Sequence, residues 1–218
     1  MIDVKRSLPA PASLAQRKTW GADDVREQLY NDFLHKCYLC ENKLLGPGSI
    51  EVDHRKQRGQ GGDKYDWNNL CAACHDCNIR RPKKWPDGGP LDPAGGDRVE
   101  QRLIQEMVTD EDGERVPAFR ARSQDDRAAS NTARELDHIH NDPKNLKASD
   151  LRNAIVRRSE KVAAHVLHYL DAQRAKPRDK QQLEWLEQRI AKMVSRRAPF
   201  TALIRSVVGR HLPQRLLD

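Results

Sequence analysis

Aromatic side chains are scarce in this chain. Phenylalanine, tyrosine and tryptophan make up 5% of the 218 residues, and hydrophobic types together 37%. That shortage argues against one large core and favours a small module joined to helices that bury amphipathic faces. Long apolar runs are missing too. No stretch approaches the roughly 18 residues of a membrane span, and the opening MIDVKRSLPAPASLAQRK lacks the apolar block of a secretory leader. A cytoplasmic setting is expected, where thiols stay reduced. Cysteine is absent except at positions 37, 40, 71, 74 and 77. An odd number confined to one segment argues against a disulfide framework and for a metal site. There is no internal repeat and no low-complexity run.

Charge is abundant, at 33% of residues, with 39 Lys and Arg against 32 Asp and Glu, a formal net charge of +7. A basic balance favours phosphate-rich partners, because Lys and Arg contacts release the counterions condensed on nucleic acid.

Four stretches follow one another. Residues 1–36 form an extended lead and then a short amphipathic helix near Asp23 to Leu34. Residues 37–85 hold every cysteine. Residues 86–97, PDGGPLDPAGGD, form a Pro/Gly-rich joint. In residues 98–218, RLIQEMV and ERVPAFRA flank TDEDG, which predicts a hairpin turning at Asp112-Gly113. Beyond Gln124 the chain is helical. Leu151, Ile155, Val162, Val166 and Leu170 mark one amphipathic helix, and Leu183, Leu186, Ile190 and Met193 a second. Phe200, Leu203, Ile204, Val207 and Val208 mark a third, with Pro199 suited to its first turn. Such stripes are the ordinary mark of core packing. The expected fold class is α+β, a zinc-stapled module with a mainly helical C-terminal part.

Cys37-Tyr-Leu-Cys40 and Cys74-His-Asp-Cys77 are two CxxC pairs. Two residues between thiolates let one tight turn aim both sulfurs at a single ion, and two such turns complete a tetrahedral zinc site. Cys71 makes a further CxxC with Cys74, and His75 is an alternative ligand. Cys74 and Cys77 are preferred, which leaves Cys71 as a small buried residue. A zinc site adds stability that an aromatic-poor segment lacks, but gives no activity by itself.

Between the pairs lies IEVDHRKQRGQGGDKYDWNNLCAACHDCN. Ile50 and Val52 alternate with Glu51 and Asp53 as in a half-buried strand, with Asp53 and His54 at its end. Gly59, Gly61 and Gly62 predict a mobile loop, Trp67 to Leu70 a return arm, and His75 to Arg80 a short helix. Taken singly, His54 is a strand-end histidine, Asp53 a turn cap, and Asn69 and Asn78 turn or capping residues. All four in order, framed by two zinc pairs, make those bland readings jointly improbable. Arg55, Lys56 and Arg58 follow the acidic-His pair, and Arg80, Arg81, Lys83 and Lys84 follow the second knuckle. A basic run is usually a solvated face, but this location favours phosphate contacts, which bind without reading sequence. The two histidines of Asp137-His-Ile-His140 do not share a helix face and are not a metal pair.

In order, Cys37, Cys40, Asp53, His54, Asn69, Cys74, Cys77 and Asn78 resemble the HNH, or ββα-metal, nuclease motif, with Asn78 at the third position as in its HNN variant. The resemblance implies endonucleolytic hydrolysis of DNA phosphodiesters. It implies His54 as general base, with Asn69 fixing its orientation and tautomer. Asp53 and Asn78 would ligate a catalytic divalent cation such as Mg²⁺ or Mn²⁺, and Cys37, Cys40, Cys74 and Cys77 a structural Zn²⁺. CYLCENKL, the DEDG hairpin followed by NTARELDHI and AIVRRSEKVA, and RRAPFTALIRSVVG are similar to the PtuB-type nuclease of the Septu anti-phage system and its retron-associated relatives. That similarity implies an ABC/SMC-like ATPase partner of the PtuA type. No GxxxxGK[ST] motif is present, so any ATP dependence must come from such a partner. Two alternatives stay open: a zinc-stapled adaptor that binds nucleic acid without cutting it, and an HNH nuclease of a mobile element or restriction system.

Overall fold

A computed structural model describes residues 1–217. The N-terminal lead carries a one-turn helix, α1 (Ala12–Ala15), before α2 (Asp23–Asp32), which starts with two aspartates in its first turn, where carboxylates suit the helix dipole. The cysteine-bearing segment gives strand β1 (Glu51–His54), strand β2 (Leu70–Ala73) and helix α3 (His75–Arg80). After a long connection come α4 (Val99–Arg102), the hairpin strands β3 (Leu103–Thr109) and β4 (Arg115–Ala121), and the helices α5 (Arg127–Asn141), α6 (Leu146–Arg174), α7 (Lys180–Val194) and α8 (Thr201–Val208). Asp126, Asn145 and Asp179 cap α5, α6 and α7, each side-chain oxygen accepting a backbone N–H of the first turn.

The two sheets are separate antiparallel pairs. In the first, Asp53 stands opposite Cys71 and His54 opposite Leu70. In the second, the strands turn through Gly113 at φ 84°, with Gly113 N–H donating to the Asp110 carbonyl, as the DEDG signal predicts.

Two apolar cores result. One gathers Leu14, Val25 and Leu29 from the lead, Tyr38, Trp67 and Leu70 from the cysteine segment, and Leu136 and Ile139 from α5. The other joins α6, α7 and α8 through Ile155, Val162, Ile190 and Ile204, all fully buried. Phe119 and Leu151 touch both.

The structure corrects three sequence expectations. The stretch 86–97 does not separate two bodies: Leu91 is buried in the first core, Leu91 N–H donates to Thr132 Oγ1, and the Pro93 carbonyl accepts Val4 N–H. Pro and Gly here serve a packed crossing rather than a linker. Pro199 stands outside its helix, because Phe200 adopts a left-handed conformation at φ 57° and its N–H reaches back to the Glu41 carbonyl before α8 begins. The glycine loop is fastened rather than mobile. Asn69 Oδ1 accepts Lys56 N–H, and Asn69 Nδ2 donates to the carbonyls of Lys56 and Asp63. A Cβ on Gly62 would lie 1.9 Å from the Lys56 carbonyl oxygen, so only glycine fits that position.

Candidate functional site

The two CxxC turns face each other. One ligand atom from each of Cys37, Cys40, Cys74 and Cys77 lies within 4.8 Å of the others, and the sulfurs of Cys40 and Cys74 are 3.9 Å apart. Tetrahedral zinc with Zn–S bonds of about 2.3 Å needs sulfurs about 3.8 Å apart, so the set fits that ion. Within the cluster the thiols differ in acidity. Hydrogen bonding from its three neighbours holds Cys74 far below the usual thiol range, whereas hydrogen bonding within the cluster pushes Cys40 and Cys77 well above it. Four sulfurs this close cannot all ionise without a cation among them. Cys71 is fully buried, points elsewhere, and is pushed up to about 12 by burial. His75 turns outward, its Nδ1 3.3 Å from Glu51 Oε1. The first turns of α6 close over the cluster, with Leu151 and Ala154 sharing a cavity with Cys40 and Cys77.

From this clamp α3 runs beside β1. His75 meets Glu51 at the strand's start, and Arg81, just past the helix, meets its end. Asn78 lies midway, three residues from each, and steps of three turn a helix by only about 60°, so the three residues keep to one side. Asn78 is half-buried, and its side-chain amide has no hydrogen-bond partner among the described residues.

His54 is also half-buried. Its Nε2 is 3.2 Å from the Lys64 carbonyl oxygen, and its ring stands edge-on to Trp20 at 5.7 Å. A carbonyl can only accept, so Nε2 carries the proton of the neutral ring and Nδ1 the free lone pair. Burial pushes the His54 pKa down, with the Lys64 hydrogen bond opposing, which keeps the ring neutral at physiological pH. Asn69 does not touch the ring. It holds the Asp63 carbonyl, one residue before the Lys64 carbonyl that orients His54, and so acts through the loop.

Asp53 is the buried position of β1, 5% exposed. Its Oδ2 accepts from the Tyr38 hydroxyl at 2.6 Å and from Arg81 Nη1 at 2.7 Å. Its Oδ1 accepts no hydrogen bond among the described residues. Asp53 Oδ1 and the Asn78 amide oxygen are hard donors suited to a divalent cation.

Arg81 departs from the expected phosphate contact. Its side chain is 4% exposed and fully engaged: Nη1 with Asp53 and the His54 carbonyl, Nη2 with the Arg55 carbonyl at 2.7 Å, and Nε with Glu135 Oε1 at 2.9 Å. Burial opposes its charge, but Tyr38, Asp53 and Glu135 outweigh that and raise its pKa further. Burial raises Glu135, with Arg81 opposing. Arg81 therefore fixes the end of β1 rather than meeting a phosphate. Of the other basic residues, Lys83 and Lys84 are exposed and Lys56 half-exposed, and Arg58 lies over the Trp20 ring at 4.8 Å. Arg55 lies over Trp85 at 5.3 Å and donates to the Pro90 carbonyl, while Arg80 donates to the Ile139 carbonyl. Sequence reasoning missed Tyr38, Trp20 and Glu135. Tyr38 had a visible signal as the one hydroxyl inside a zinc knuckle; Glu135, 54 residues from Arg81, had none.

Residues 37–84 match the family model of the HNH endonuclease. The HNH segment opens on the first zinc cysteine and closes just beyond Arg81, so it contains the four thiols, Asp53, His54, Asn69 and Asn78. No curated protein and no solved structure matches the chain. The segment that resembles an HNH endonuclease is thus the one that carries the cysteine cluster fit for zinc.

Proposed function

We propose that the chain is an endonuclease that hydrolyses DNA phosphodiesters with His54 as general base. The observation that carries this reading is the histidine itself: neutral, held by Lys64 through Nε2, with Nδ1 left to take a proton. The proton of an attacking water passes to Nδ1 as its oxygen bonds to phosphorus and the bond from phosphorus to one ester oxygen breaks, releasing that strand end as the leaving group. Trp20 and the Lys64 carbonyl hold the ring while it becomes charged. A divalent cation held by Asp53 Oδ1 and Asn78, such as magnesium or manganese, would polarise the phosphate and take up charge on the leaving oxygen. Arg81 and Tyr38 keep Oδ2 of Asp53 occupied, which would leave Oδ1 available to such an ion. Asn69 acts as a positioning residue through the loop from Lys56 to Lys64. Lys56, Arg58, Lys83 and Lys84 supply phosphate contacts along the approach.

Supercoiled plasmid and a folded RNA, each incubated with magnesium, manganese or a chelator, test the reading. Nicked or linear DNA only in the presence of a cation, and its loss in Asn78→Ala, is the expected result. An intact plasmid under every cation would refute it.

The proposed setting is bacterial anti-phage defence, with an ABC/SMC-like ATPase partner. The PtuB-like segments support it, as do Leu167 and Trp185 on α6 and α7, more than half exposed on helices whose other faces are already packed. Co-expression with an ATPase encoded alongside, followed by size-exclusion chromatography, should give a single complex. Separate elution would remove the partner from the account.

A further inference from the structure

At the end of β1 lies a cleft of about 470 Å³, of which the proposed hydrolysis uses only the rim lysines Lys83 and Lys84. That volume falls within the roughly 300–1,000 Å³ of sites for small organic ligands. Arg81, shared between Asp53 and Glu135, forms its floor; Arg55 is paired with Asp92 and Asp87 with Arg127, so the unpaired charge of its walls comes from Lys83, Lys84 and Arg134. Trp85 supplies the aromatic surface, layered with the Arg55 guanidinium.

The walls are fixed. Gln60 bridges the Lys83 carbonyl and the Trp85 N–H, and Asn131 Nδ2 donates to the carbonyls of Asp87 and Gly89, each at 2.8 Å. Gly89 lies against the indole so closely that a Cβ there would come within 2.5 Å of Trp85 Cζ2. These contacts fix the indole, which lowers the ordering cost that binding would incur. Lys83 and Lys84 make no side-chain hydrogen bond or ion pair among the described residues and are free to meet phosphate.

We propose that this cleft receives an unpaired nucleotide of the substrate strand next to the scissile phosphate, its base on the Trp85–Arg55 layer and its phosphate on Lys83 and Lys84. Aromatic and guanidinium planes bind the face of any base, and lysines bind the backbone, which is how single strands are held without sequence preference. A duplex keeps its base faces stacked and so offers none to the cleft. Arg55 follows His54 in the chain and Arg81 holds the His54 carbonyl, so the cleft and the general base share the backbone at the end of β1. The proposal rests on the nuclease reading only for what brings nucleic acid to this face.

Binding is measured on the full-length His54→Ala protein, which removes cleavage from the readout. A fluorescein-labelled single strand, the duplex of the same sequence, and deoxyadenosine monophosphate are the three probes. Adding Trp85→Ala should weaken single-strand binding about tenfold and duplex binding far less, while Trp85→Phe retains most of the affinity. Equal losses for strand and duplex, or none, would overturn the site. If only the mononucleotide depends on Trp85, the cleft serves a free nucleotide and the strand assignment fails. Should Trp85→Ala not fold, Lys83→Ala with Lys84→Ala replaces it, and the same excess loss on the single strand is required. Trp85-dependent strand binding in a protein whose wild type cuts nothing would sink the nuclease reading and keep the cleft. Cleavage with Trp85-independent strand binding would do the reverse.

Discussion

The region from Met1 to Asn141 and the region from Leu146 to Leu217 are held together by different physics. Among the described residues, every buried charged side chain lies in the first: Asp32, Lys36, Glu41, Asp53, Arg81, Asp92 and Glu135. The second buries only Ser159 and Thr201 among polar residues, and packs three helices through aliphatic stripes. The first region adds an ionic and thiol lattice to its apolar core, and the second is an apolar helical core alone. They meet at Lys36, whose Nζ donates to Glu41 on one side and to the Ala198 carbonyl and Thr201 hydroxyl on the other. The contrast teaches where chemistry can be placed. Groups that must be charged and aimed need the lattice, and the helical core leaves its outer face open.

The largest effect should come from metal loss. Cys40→Ser, or a strong chelator, removes a zinc site whose binding commonly contributes about 10–16 kcal/mol. The first region should lose its near-ultraviolet circular dichroism while much of the far-ultraviolet helical signal of α6 to α8 survives. Simultaneous loss of both would show that the regions do not differ in this way.

Next is Arg81→Ala, which leaves Asp53 and Glu135 buried without their cation. Breaking such a pair costs about 3–5 kcal/mol, measurable by urea unfolding. Arg81→Lys should recover little, since one ammonium cannot reproduce the guanidinium's four contacts. A cost near zero would mean the ion network holds nothing.

Ile190→Ala makes the matching cut in the second region. A fully buried isoleucine reduced to alanine costs about 2–5 kcal/mol through lost burial and a cavity. Zinc content and cleavage per folded molecule should stay at wild-type levels, and a fall in either would join what the comparison separates.

The smallest effect concerns pH. His140 is 2% exposed, packs against Phe119, and is pushed down to about 4 by burial, against the pull of its hydrogen bond to the Leu136 carbonyl. The unfolded chain takes up this proton near pH 6.5 and the folded chain near 4. Stability is therefore fully present above 6.5 and falls as pH drops between those values, by about 1.4 kcal/mol per pH unit. Between pH 7 and 5 the loss from this group is about 2 kcal/mol, and His140→Gln should abolish that part of the pH dependence in urea unfolding. An unchanged slope would show that His140 is not the acid-sensitive group.

The parts of this fold that were legible in the sequence are local ones. A CxxC turn is closed by four residues, a hairpin by its Asp-Gly, and α6 and α7 by stripes whose period needs no knowledge of the partner. The candidate site was legible as residue types: the four thiols come together, and Asp53, His54 and Asn78 lie on β1 and α3 as the pattern suggests. What holds those residues was not legible, because it is distant in sequence. Glu135 reaches Arg81 from α5, Trp20 reaches His54 from the lead, and Tyr38 spends its hydroxyl on Asp53. Arg81 looked like a phosphate contact because a basic run gives no sign of which member turns inward. PDGGPLDPAGGD looked like a joint because Pro and Gly mark irregular backbone, whether that backbone lies in solvent or crosses a core.

The central claim is that His54 Nδ1 takes the proton from an attacking water. Single-turnover cleavage of plasmid DNA by wild type and His54→Ala, with zinc content and circular dichroism measured on the same preparations, tests it most directly. The account predicts an unchanged zinc content and spectrum with cleavage reduced at least about a hundredfold. Wild-type cleavage by a folded, zinc-loaded His54→Ala protein would contradict it.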